Sequence, residues 1–120
     1  MIQIKRIYEE PSENDGFRIL VDRLWPRGIN KHLATIDLWL KEVAPSPDLR
    51  RLFNHKKDRF NEFSLKYVSE LSKNPAVTVL DDILSQRPKI TLLYAAKDTT
   101  INHAAVLKGF LENKHEIIDK

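Results

Sequence analysis

The strongest constraint on this chain comes from two short apolar runs that each lead into a cluster of polar residues. Ile90-Thr91-Leu92-Leu93-Tyr94-Ala95-Ala96 is bounded by Pro88 on one side and Lys97-Asp98 on the other. That length suits a strand buried on both faces better than a helix. Phe17-Arg18-Ile19-Leu20-Val21 reads as a second strand of the same kind and delivers Asp22 and Arg23 at its carboxyl end. Buried strands need a layer on each side, so the expected fold class is α/β: a small sheet, at least partly parallel, covered by helices in a single domain. The Ile90 strand is expected beside the Phe17 strand and parallel to it, after a long crossover.

The remaining elements follow from periodicity and punctuation. Ile2, Ile4 and Tyr8 alternate with polar neighbours as in a strand, and Glu9 to Gly16 is a loop. That loop is short for a parallel crossover, so its length favours an antiparallel pairing of the first two strands. After a Pro26-Arg27-Gly28 turn, Leu33, Ile36, Leu40 and Val43 fall at helical spacing up to Pro45. Ser46-Pro47 looks like an N-cap followed by proline and opens a short helical segment carrying Leu49, Leu52 and Phe53. Phe60, Phe63, Tyr67 and Leu71 mark a longer helix, and Asn74-Pro75 introduces one with Val77, Leu80, Ile83 and Leu84. A last helix carries Ala104, Leu107 and Leu111, with Thr99 or Thr100 as its expected cap. The expected core comprises Trp39, Leu40, Phe60, Phe63, Tyr67, Leu93 and Leu107.

With 120 residues and 42% hydrophobic content, and no Gly/Ser-rich linker, residues 1–120 are expected to form one domain. The chain has no cysteine, which excludes disulfides, a thiolate nucleophile and sulfur-ligated zinc. No apolar run approaches the roughly 20 residues of a membrane span, and Met1 to Arg6 lacks an export signal. The expected location is cytoplasmic, with no membrane partner. His32, His55 and His115 show no two-turn pairing with another histidine, no acidic spacing resembles a Ca²⁺ loop, and neither a metal nor a cofactor is expected. The formal charge of +3 arises from 20 basic and 17 acidic residues interleaved along the chain, whereas nucleic-acid binders concentrate their cations.

The polar residues worth attention lie in two places, Asp22 to Gly28 and Tyr94 to His103, each following an expected strand. Ligands in open α/β sheets collect outside the carboxyl ends of strands, so two such segments on parallel neighbours face one crevice. There Arg23 and Arg27 would grip a phosphate or carboxylate with planar forks, and Trp25 would supply an aromatic wall. Asn102 and His103 stand near a helix start, whose backbone N–H groups favour an anion. His103 is the candidate acid or base, oriented by Asp98 or Asp22, while Tyr94 and Asn102 offer hydrogen bonds. The competing reading is structural: Asp22 pairs with Arg23 or Arg27, Trp25 belongs to the core, Pro26 to Gly28 only shapes a turn, and His103 only bonds backbone.

Three long stretches, Leu20 to Gly28, Asp37 to Ser46 and Leu92 to Asp98, followed by Asn102-His103-Ala104, resemble the YeaO-like branch of the domain-of-unknown-function 488 family over nearly the whole chain. The resemblance implies a small α/β protein of bacteria or archaea with no established activity. It also implies that broader relatives carry an Asp-x-Arg segment after one strand and a cysteine-containing segment, often Cys-His-Arg, before the last helix. Asn102-His103-Ala104 occupies the latter place here, which removes any thiol mechanism and leaves an anion pocket. The same resemblance allows the first two strands to be parallel, through a helix shortened away between them.

Two functional classes remain, and whether the chain is an enzyme stays open between them. In the first, the protein binds or acts on a small phosphate- or carboxylate-bearing molecule, nucleotide-like ones included, at Asp22, Arg23, Arg27 and His103. In the second it is a nucleic-acid-binding or regulatory module presenting Arg50, Arg51, Lys56, Lys57 and Arg59, or a protein-interaction domain without catalysis. Convergence of the first set in a crevice, against an open basic ridge of the second, discriminates them.

Overall fold

The computed structural model describes residues 1–54 and 56–119, the last four through their backbone alone, so His55 lies outside the described residues. Four strands, β1 (Ile2–Arg6), β2 (Phe17–Leu20), β3 (Leu38–Trp39) and β4 (Ile90–Tyr94), form one sheet in the order β1-β4-β2-β3. Every pairing is parallel. β4 is central, with Ile90 opposite both Ile2 and Phe17, and Leu93 opposite both Lys5 and Leu20. All five of its residues are buried, as its continuous apolar run requires.

The side chains of β4 alternate between two cores. Ile90, Leu92 and Tyr94 face the helices α1 (Pro47–Phe53), α2 (Phe60–Ser72), α3 (Val77–Gln86) and α4 (His103–Asp119), and join Ile19, Val21, Phe63, Tyr67, Leu80 and Leu107 in the main core. Leu93 faces the opposite side with Leu20 and Ile7. Among the described residues no α-helix covers that side; Trp25, Ile29, Ile36 and Trp39 pack against it instead. Beside this apolar patch the connection from β1 to β2 closes over a buried ionic cluster. Asp15 (3% exposed) pairs with Arg18 (5%) and accepts from Lys5 Nζ at 3.2 Å, while Thr91 Oγ1 donates to the Asp15 carbonyl at 2.6 Å. Burial alone would raise the Asp15 pKa, but hydrogen bonds from Ser12 N–H, Lys5 and Arg18 outweigh it and hold the carboxyl below its ordinary value.

Three expectations are corrected. The first two strands are not an antiparallel pair: β4 lies between them and both run with it. The connection must return along roughly 16 Å of strand and cross two strand spacings of about 5 Å, which residues 7–16 span easily with a single 3-10 turn at Glu13–Asp15 and no α-helix. The stripe from Leu33 to Val43 is not a helix either. Leu33 is 80% exposed in a turn, Leu38–Trp39 is a strand, and only Lys41–Val43 forms a 3-10 turn. The outer edge of β2 explains this, because the carbonyls of Arg18 and Leu20 each accept an N–H at 2.9 Å, from Asp37 and Leu40. Pairing an otherwise open edge outweighs a weak helical stripe. Finally, Asn102, not Thr99 or Thr100, caps α4: its Oδ1 accepts from Ala105 N at 2.8 Å.

The other punctuation is obeyed. Ser46 caps α1 by accepting from Leu49 N, with Pro47 in the first turn. Asn74 Oδ1 accepts from Ala76 N in the turn leading to α3. Leu40, Phe63, Tyr67, Leu93 and Leu107 are buried, whereas Trp39 and Phe60 are only partly so.

Candidate functional site

The carboxyl ends of β2 and β4 are neighbours, so the segments that follow them open on the same side of the sheet. Between them and α1, α2 and α4 lies a cleft of about 300 Å³, lined by Asp22, Arg23, Leu24, Ala44, Pro45, Arg50, Phe53, Phe63, Ala95, Ala96 and His103.

His103 and Asp22 meet at its inner end. His103 Nε2 lies 3.1 Å from the Val21 carbonyl and 3.1 Å from Asp22 Oδ1. Two acceptors around one ring nitrogen require that nitrogen to carry hydrogen, which leaves Nδ1 as the ring's lone-pair position when the imidazole is neutral. That hydrogen is directed at Val21, so Asp22 Oδ1 is buried without a hydrogen bond and feels the imidazole only as a neighbour. Asp22 Oδ2 accepts from Ala95 N at 3.0 Å. The pair therefore ties α4, β2 and β4 together at the strand ends.

Arg23 lines the same cleft. Its Nη2 donates to the carbonyls of Ala44 at 3.1 Å and Pro45 at 3.3 Å, and its Nε is buried without a partner. Arg50 reaches the cleft from α1 and is exposed. Among the described residues neither arginine has a carboxylate within ion-pair distance. Behind the cleft, Tyr67 Oη donates to the Val43 carbonyl at 2.7 Å. Burial, and then the charges of Glu70 and Asp22, push that phenol well above its ordinary pKa, so it stays a neutral donor.

The structure brings Asp22, Arg23 and His103 together and leaves four expected residues elsewhere. Trp25 turns to the helix-free face, edge-on to Trp39 at 5.3 Å, with its Nε1 donating to the Ile29 carbonyl at 2.7 Å. Arg27 is exposed within the Pro26–Gly28 turn, where Gly28 has φ 78°. The structure therefore does not place Arg27 beside Arg23 in the cleft; Arg50 is the second arginine that lines it. Tyr94 is 1% exposed within the main core, and burial, followed by the charge of Glu9, raises its pKa. Asn102 is 1% exposed and spent on capping α4 and on the Asp98 carbonyl. Asp98 does not orient His103; it accepts from Ile101 N and then Thr100 N, which lowers its pKa to about 2.

Sequence reasoning missed Arg50 as a cleft residue, along with the Ala44 and Pro45 carbonyls. The available signal was the Ser46-Pro47 cap, which fixes α1 and hence the direction of Arg50. As for a basic ridge, Arg51 pairs with Asp48, Lys57 lies 3.7 Å from Asp98, and Arg59 donates to the Leu52 carbonyl. Among the described residues no cluster of His, Asp or Glu is arranged to hold a metal ion, and no helix is long and apolar enough to cross a membrane.

A family model for the inactive DUF488-N3 subclade matches residues 1–119. The chain belongs to that DUF488-N3i family. It is 45% identical over 113 residues to the uncharacterized protein YeaO of Escherichia coli (strain K12), covering 93% of this chain and 97% of that one. It is 38% identical over 113 residues to the uncharacterized proteins Mb3100c of Mycobacterium bovis and Rv3073c of Mycobacterium tuberculosis, covering 94% of this chain and 95% of each. No solved structure matches. In this DUF488-N3i chain Asn102-His103-Ala104 occupies the start of the last helix, and the chain has no cysteine.

Proposed function

We propose that this protein binds, without turning it over, a small anion with a compact apolar body in the cleft at the carboxyl ends of β2 and β4. The observation that carries the reading is the charge balance of the cleft. Arg23 and Arg50 both line it, neither has an ion-paired carboxylate among the described residues, and the one lining carboxylate, Asp22, accepts from Ala95 N–H and lies 3.1 Å from His103 Nε2 rather than on either arginine. An anion entering there meets uncompensated guanidinium groups. Leu24, Ala44, Pro45, Phe53, Phe63, Ala95 and Ala96 make most of the lining apolar, which supports a carboxylate or phosphate ester attached to a ring or short branched chain. Binding without catalysis is supported by the strand-fastening bonds of His103 and Asp22, and by the description of the subclade as inactive.

The test is a thermal-shift and calorimetric titration with acetate, benzoate and inorganic phosphate, since a ligand that binds only the native state raises its melting temperature. Benzoate is expected to bind more tightly than acetate. Arg23→Lys, which keeps the charge but loses the fork, is expected to weaken benzoate by about ten- to a hundredfold, the equivalent of one charge-assisted hydrogen bond. Arg27→Ala is expected to leave binding unchanged. If no anion in the panel stabilises the protein, the reading fails.

A further inference from the structure

We infer that Glu70, which does not line the cleft, is the residue that sets the positions of both its arginines. The inference rests on the anion-binding reading above. Glu70 stands on α2, one turn beyond Tyr67. Its Oε1 accepts from Ser46 N at 3.1 Å and its Oε2 from Ser46 Oγ at 2.5 Å, so one carboxylate holds Ser46 by backbone and side chain together.

Ser46 sits at a junction. On its amino-terminal side are Ala44 and Pro45, whose carbonyls hold Arg23 Nη2. On its carboxyl-terminal side is α1, whose Leu49 N–H donates to Ser46 Oγ at 3.2 Å and which carries Arg50. The strap from Val43 to Ser46 is thus fixed to α2 at both ends, through Tyr67 at Val43 and Glu70 at Ser46, with Arg23 bound to its middle. A shift of Ser46 moves the two carbonyls that aim one guanidinium and the helix cap that aims the other. The two arginines come from distant segments, and Ser46 is the point at which their supports meet. Glu70 fixes that point while spending its own charge on Ser46 and away from the cleft.

The experiment compares Glu70→Ala, Glu70→Gln and, as a control, Glu62→Ala, whose carboxylate lies on an exposed part of α2 near Lys66. Each is titrated with benzoate and inorganic phosphate at a temperature where it is fully folded. The ¹⁵Nε signals of Arg23 and Arg50 are recorded in the free protein. Glu70→Ala is expected to lower benzoate affinity about tenfold or more and to move both arginine signals. Glu70→Gln should restore most of both, because an amide still accepts from Ser46 N and can donate to Ser46 Oγ. Glu62→Ala should change neither.

Affinity within about twofold of the parent together with unmoved arginine signals in Glu70→Ala would overturn the inference. If Glu70→Ala does not fold, Ser46→Ala decides by the same measurements. It leaves Ser46 N bound to Glu70 but removes the hydroxyl that links Glu70 to the α1 cap, so the Arg50 signal must move and the affinity fall. If the parent protein binds neither anion, the anion reading fails on its own, and the free-protein arginine signals still decide the role of Glu70.

Discussion

Replacing Asp15 by asparagine tests whether the cluster beneath the β1–β2 connection holds that face of the sheet. The substitution keeps the shape of the side chain and removes its charge, leaving Arg18, 5% exposed, with the Thr35 carbonyl at 2.5 Å but no carboxylate. Lys5, whose side chain is 17% exposed, also loses its partner but can turn toward water. Removing one member of a buried ion pair costs about 3–5 kcal/mol, most of it the penalty of a stranded charge, and the escape of Lys5 places the expectation near the lower end. Against a total stability of about 5–15 kcal/mol this is a large share. The double variant Asp15→Asn/Arg18→Met removes the stranded guanidinium and is expected to recover about 2 kcal/mol of the loss. Urea denaturation followed by tryptophan fluorescence measures both. The pH dependence is a second check. Because the folded carboxyl titrates below its ordinary 3.8, its stabilisation is complete above about pH 4 and is lost as the pH falls through the lower folded value. The gap between parent and Asp15→Asn should therefore narrow below about pH 4 and stay constant above it. A loss under about 1 kcal/mol, or one that does not change with acid, would refute the assignment of stability to this pair.

Two further outcomes concern packing. Phe63, 1% exposed and stacked on Phe53 at 4.5 Å, should cost about 3–5 kcal/mol when replaced by alanine in the same urea assay, and a loss below about 1 kcal/mol would mean its surroundings collapse freely. Gly16→Ala should destabilise by more than Gly28→Ala. Gly16 has φ 66° and its added Cβ would lie 2.3 Å from the Lys89 carbonyl that accepts the first N–H of β2, whereas nothing lies within 4 Å of a Cβ at Gly28, whose φ is 78°. Equal melting temperatures for the two variants would contradict this.

The parts of the fold that could be read in the sequence are those fixed by local chemistry. β4 announces itself because a strand buried on both faces must be continuously apolar, and α2 because Phe63, Tyr67 and Leu71 repeat at the helical period. The Leu33 to Val43 region misled because Leu38 and Trp39 are placed by the open edge of β2, a demand made far from them in sequence. In the site, Asp22, Arg23 and His103 were legible since each lies just past a strand end or at a helix start. Arg50 was not, because its direction depends on Ser46 being held by Glu70 across the strap, a contact between residues 24 apart.

The strand order also has a consequence for how the chain acquires its fold. β4 touches β1 along its whole length and β2 along four residues, yet it is made last of the four strands, after α1, α2 and α3. Neither early strand can complete its pairing until residue 94 has left the ribosome, and Ile2 must wait for Ile90. Such long-range parallel pairings are slow to close, because the intervening chain loses its freedom before any contact rewards it. During synthesis the apolar edges of β1 and β2 stay open to other chains, so a nascent chain stalled before β4 is the species most prone to aggregate.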